Sequence, residues 1–353
     1  MTAAAPVQMI KPPPAVKNGT PSALAPKPAA APAPTLDELT CEGDERGDFP
    51  PCIITVHGGQ GLGKTMFGAL APGAAVLAVE DEELASLPRS VKRIKAARKG
   101  ASEEERLWNW GKVMRRMGML RDDKHDHKVL VVDTVDAIEP MCWDFCCKRD
   151  NMKSIRGPEK PYSFGDGYKV ALDEWREFEA ACQDLKRQRG MFVVLVGHSV
   201  PENVPDPAMP DYKQWGLKLH KHAANFITDA SDVVLFVRSE SSTWTDGKDD
   251  KMQIKVSHTG RTECRTRKAE SWVAKNRLFL PDPLPAFSWS VFEYYAKQGA
   301  ILRETRFAKL DKMSPLERMD AEMALDAGAW TPAAAEQIIN GTTTATNQEQ
   351  ASS

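Results

Sequence analysis

The segment Gly58-Gly59-Gln60-Gly61-Leu62-Gly63-Lys64-Thr65 matches GxxxxGK[ST] at every fixed position. Its glycines let the backbone curl so that successive N–H groups face phosphate oxygens. Lys64 then reaches the β and γ phosphates, and the Thr65 hydroxyl ligates magnesium. The apolar run Ile53-Ile54-Thr55-Val56 precedes the segment and a helix is expected after it, so the helix dipole adds to the site. That strand-to-helix context separates the match from a chance glycine-rich turn. The implied ligand is ATP with Mg2+, cradled by all eight residues.

Three further groups complete such a site. Val129-Leu130-Val131-Val132-Asp133 is a buried strand ending in an acid, and Asp133 beside the phosphate loop is placed to hold magnesium, together with Thr65. Hydrolysis also needs a group to orient the attacking water. Glu80-Asp81-Glu82-Glu83 follows the second apolar run; Glu82 is preferred over Glu80 because it lies slightly past the strand end, the alternative being a solvated charge run. Gly197-His198-Ser199 ends the fourth run, which makes His198 a candidate γ-phosphate sensor, or else a capping or core histidine.

The elements that must carry these groups are legible as apolar runs. Ile53–Val56, Ala75–Val79, Val129–Val132, Met191–Val196 and Val233–Val237 alternate with amphipathic stretches, the pattern of an α/β fold with a mainly parallel sheet flanked by helices. Between Tyr168 and Arg189, Val170, Leu172, Trp175, Phe178, Ala181, Cys182 and Leu185 recur at helical spacing. Alternation around Lys251–Val256 and Thr266–Val273 predicts an antiparallel hairpin at the sheet edge.

Residues 1–36 are rich in Pro and Ala, and 341–353 in polar residues; both are expected to be disordered, because they cannot bury enough surface to offset their ordering entropy. The ATPase domain is expected over 48–300, followed by a helical appendix over 301–340. A net charge of −2 excludes a uniformly basic nucleic-acid coat but leaves room for a local strip. Seven cysteines with no paired CxxC motifs suit neither a disulfide framework nor a zinc site. No apolar run reaches the roughly 20 residues that span a bilayer, and the start lacks a signal-peptide pattern. The expected setting is a cytosol.

Two basic strips are candidates for a nucleic-acid backbone. Arg89–Lys99 carries six cations, and Lys213–Lys221 sets Lys213, Lys218 and Lys221 beside Trp215, whose ring suits unstacked bases. An ordinary solvated face is the alternative for each. His125-Asp126-His127 reads as a solvated turn, the Trp108 and Trp110 pair as packing, and no nucleophile triad is present.

In combination, GGQGLGKT, VLVVDTVDAIEP (129–140), FGDGY (164–168), GMFVVLVGHS (190–199) and LKLHKHAANF (217–226) resemble the RecA-like P-loop ATPases. Within them, the similarity is to phage-encoded nucleotide-binding proteins associated with single-strand annealing recombination, the Sak group, and it covers about residues 50–295. Ala274-Lys275-Asn276-Arg277 looks like the Lys-Asn-Arg element of RadA-type relatives, which implies that Lys275 and Arg277 act on the ATP of an adjacent subunit. The resemblance implies a RecA-like core that hydrolyses ATP and binds single-stranded DNA, assembled as a ring or filament. It also implies an annealing or single-strand-binding protein as partner and, for a phage-encoded chain, the bacterial host cytoplasm. Rival readings are a RadA- or DnaB-type ring helicase or branch-migration motor, and a nucleotide-gated assembly protein with little turnover. A small-molecule kinase fits less well, since no acceptor pocket or lid arginines can be placed.

Overall fold

Valine, isoleucine and leucine runs form strands buried on both faces, and helices cover those faces. The computed structural model describes residues 49–80, 87–207, 210–246, 253–310 and 314–315. The expected tails, the appendix beyond residue 315 and Glu82 lie outside the described residues.

In chain order the elements are β1 (Ile53–Gly58), α1 (Lys64–Ala69), β2 (Ala74–Ala78), β3 (Lys92–Ile94), α2 (Glu103–Arg106), α3 (Trp110–Asp122), β4 (Val129–Asp133), α4 (Val135–Arg149), α5 (Gly167–Arg189), β5 (Phe192–Val204), β6 (Tyr212–Leu217), α6 (Lys221–Ala230), β7 (Val233–Asp246), β8 (Gln253–Arg265), β9 (Lys275–Asn276) and α7 (Trp289–Leu310). The sheet order is β3-β2-β4-β5-β1-β7-β8, with β6 paired to β5 and β9 to β7. From β3 to β7 the pairings are all parallel.

Successive strand residues face opposite sides, and the two cores follow that alternation. Leu130, Val132, Val193 and Leu195 pack with Trp110, Trp175 and Phe178 from α3 and α5. Val129, Val131, Val194 and Val196 pack on the other face with Phe67 of α1 and with Trp289 and Phe292 of α7. Burying each such side chain stabilises the fold by about 1.5–3 kcal/mol, so the parallel strands are the rigid part of the molecule. Trp110 is buried against Trp175 at 5.6 Å between ring centroids, a packing role.

The edge differs from expectation. The antiparallel ribbon forms between β7 and β8, with Val237 opposite Cys264, and not between 251–256 and 266–273. Thr266–Val273 contributes only isolated bridges, such as Trp215 with Trp272. β7 runs well past Val237 through a Ser- and Thr-rich stretch whose strand character shows no apolar alternation. β5 likewise runs beyond the core to Val204 and turns back as β6, Ser199 lying opposite Leu217. Six buried cysteines carry no disulfide. Among the described residues no helix is long and apolar enough to cross a membrane.

Candidate active site

Four adjacent parallel strands deliver their carboxyl ends to one edge. In register, Gly58 of β1 lies opposite His198 of β5, Asp133 of β4 opposite Val196 of β5, and Ala78 of β2 opposite Asp133. β5 is inserted between β1 and β4, so the strand that carries Asp133 is one place removed from the phosphate-loop strand.

The loop itself is built by backbone freedom. Gly61 and Gly63 have φ of 71° and 79°, in the left-handed region that glycine enters without penalty. α1 is six residues long, so its dipole is small. Loop N–H groups and Lys64 therefore supply most of the attraction for an anion. Lys64 is 6% exposed, and its ammonium donates to the Gly59 carbonyl at 2.5 Å. Burial holds that ammonium below its ordinary pKa, while Asp133, Asp136 and Glu80 draw it back.

Thr65 donates its hydroxyl to Asp133 Oδ2 at 2.9 Å. Asp133 is 7% exposed, and burial raises its carboxyl pKa; the Thr65 hydrogen bond opposes the rise and Glu80 adds to it. Thr134 donates to Glu80 Oε1 at 3.1 Å. The His198 ring lies 2.9 Å from Asp136 Oδ2 through Nδ1. Glu80, Asp136 and His198 each offer an atom within 4.8 Å of the others.

These residues fit a magnesium-bound nucleotide. Thr65 and Asp133 offer hard oxygen donors of the kind magnesium takes, and several acids surround one buried lysine, an imbalance that a divalent cation corrects. Bound there, magnesium would neutralise phosphate charge.

A family model described as an AAA domain matches residues 51–278. The chain belongs to this AAA family. The match spans the loop, Asp133, His198 and the strands that position them, and the family is one of nucleotide-binding P-loop ATPases. None of the curated proteins matches the chain.

The other predicted residues of this AAA domain fall elsewhere. Lys275 and Asn276 pair with Val234 and Val233, at the end of the sheet remote from the domain's own loop. Lys275 donates to the carbonyls of Thr228 and Asp229 at 3.1 and 2.8 Å, which closes the last turn of α6. Arg277 is exposed, 3.9 Å from Asp232. In the first basic strip, Arg93 is turned onto the carbonyls of Leu87 and Val91. In the second, Trp215 keeps 42% exposure, and its other side rests on Phe236.

Two residues of the site escaped sequence reasoning. Asp136 is the first. His57 is the second: it is buried, and its Nε2 donates to the Val273 carbonyl at 2.8 Å. A carbonyl only accepts, so the proton is on Nε2, and Nδ1 accepts the Ser199 hydroxyl at 2.8 Å. Burial lowers its pKa to about 4. A polar residue directly before the glycine loop was the one available signal.

Proposed function

We propose that this AAA domain hydrolyses ATP to ADP and phosphate with magnesium, and that turnover is coupled to single-stranded DNA binding in a phage recombination or replication assembly. One observation carries the reading: Lys64, Thr65, Asp133, Glu80 and His198 converge at the carboxyl edge of adjacent strands. Lys64 and the loop hold the phosphates, and Thr65 and Asp133 the metal. Glu80, with its carboxylate beside that pocket, orients water, and His198 contacts the γ-phosphate.

The DNA part is supported by the surface beyond β5. Trp215 is half exposed between Lys213 and Lys218. A groove of about 530 Å³ is lined by Arg156, Tyr168 and a fully exposed Phe164, and Tyr168 stacks on His220 at 3.8 Å. Aromatic rings with interspersed cations suit a flexible strand of unstacked bases. Lys275 and Arg277, remote from their own loop, suit an action on a neighbouring subunit's nucleotide.

A second reading, a nucleotide-gated assembly protein with little turnover, is favoured by one contact: Glu80 already accepts the Thr134 hydroxyl. Steady-state ATP hydrolysis with and without single-stranded DNA, at several protein concentrations, separates the two. A rate that rises with both supports the proposal. A flat background rate despite tight ATP binding supports the second reading, and near-normal hydrolysis by Lys64→Ala defeats the phosphate-site argument itself.

A further inference from the structure

Asp136 stands in the first turn of α4, and its side chain is 5% exposed. Both carboxyl oxygens are directed at one residue of another element. Oδ1 accepts the backbone N–H of His198 at 3.0 Å, and Oδ2 accepts ring Nδ1–H at 2.9 Å. Lys218, on the segment leaving β6, approaches Oδ2 at 3.7 Å, and its backbone N–H donates to the His198 carbonyl at 2.8 Å. His198 is thus held at its amide, its ring and its carbonyl.

We propose that Asp136 is the positioning residue for His198, and through it for recognition of the γ-phosphate. The inference rests on the reading of His198 given above. A carboxylate that accepts from Nδ1 places the ring proton there, which leaves Nε2 as the atom that faces a ligand. A histidine held at its backbone amide and at ring Nδ1 by one carboxylate loses little freedom when it meets the phosphate, and such partners of a contacting histidine set its tautomer and orientation. Glu80 shares the same few ångströms, so a misplaced imidazole also disturbs the group that orients water. A purely structural clamp between α4 and β5 would hold the strand end in place without distinguishing ATP from ADP.

That distinction is the test. The full-length protein and the variants Asp136→Ala, Asp136→Asn, His198→Ala and Asp136→Ala/His198→Ala are titrated with ADP and with a β,γ-imido ATP analogue, and kcat and KM for ATP are measured in parallel. Asp136→Ala is expected to weaken the analogue relative to ADP by about 5- to 10-fold, to raise KM for ATP by a similar factor and to lower kcat as well. His198→Ala should do the same, and the double variant should be no worse than either single one, because the two act as one unit. Asn keeps an acceptor for the backbone N–H and should recover part of the loss. Additive losses would overturn the proposal, as would equal weakening of ADP and analogue. If the unaltered protein binds ATP without turnover, the hydrolytic reading fails alone, and the ADP-to-analogue ratio still decides the role of Asp136.

Discussion

The Thr65 hydroxyl donates to Asp133 across 68 positions of sequence and across the intervening strand β5. This one bond joins the end of the phosphate loop to the end of β4. It holds together, without a metal, the two oxygens that would take one, so part of the ordering such binding needs is already built into the fold.

Asp133 is buried among other acids, an arrangement that disfavours its charge. Asp133→Asn keeps an acceptor for Thr65 while removing that charge. The variant should melt about 2–4 °C higher in nucleotide- and metal-free buffer, yet lose magnesium-dependent turnover by about 100-fold. Calorimetry with EDTA and an ATPase assay check both halves, and an unchanged magnesium dependence would remove Asp133 from the metal site.

The root of the loop has no room for a side chain. A Cβ at Gly58 would stand 2.1 Å from the Val237 carbonyl oxygen of β7, whereas one at Gly59 would meet only Leu62 Cδ1 at 3.5 Å. Gly58→Ala must push β1 from β7 and should cost about 1–3 kcal/mol. Gly59→Ala should melt like the unaltered protein. Denaturant titration of the pair tests this, and equal stability would contradict it.

His57 links pH to stability. Its folded pKa is near 4, below the ordinary 6.5, so between those values the unfolded chain takes up the proton first and acid favours unfolding. Its contribution is complete above pH 6.5 and falls by about 3 kcal/mol on acidification to pH 4. His57→Gln should flatten the acid limb of a stability-versus-pH curve. An equally steep limb in that variant would assign the acid sensitivity to other groups.

Lys275 and Arg277 separate by their contacts. Lys275→Ala removes two bonds to the end of α6 and should lower the melting temperature by a few degrees. Arg277→Ala breaks a long 3.9 Å contact from an exposed guanidinium to Asp232, which keeps its partners Lys186 and the Ile53 N–H, and should leave stability nearly unchanged. Changed together, they should lower turnover while nucleotide affinity stays nearly intact, as the proposed action on a neighbouring subunit's nucleotide requires. Equal loss of affinity would place them in the chain's own site or in its folding.

By itself the sequence determined what rests on local pattern. The phosphate loop is a contiguous motif whose glycines dictate their own dihedrals, and the buried strands and the long α5 announce themselves by runs and periodicity of apolar residues. Asp133 was legible because it ends one such run. Only the tertiary structure decided which strand lies beside which, and with that the sites for Asp136 and His57. Neither a solitary Asp at a helix start nor a solitary His in a strand names its partners locally, because His198, Ser199 and Val273 are supplied by strand pairing and loop return far along the chain. The polar ribbons β5–β6 and β7–β8 were misread or missed for a related reason. Beyond the apolar runs of β5 and β7 these strands carry mostly polar residues and pair with each other through backbone hydrogen bonds, so the apolar alternation that reveals a core strand is weak there.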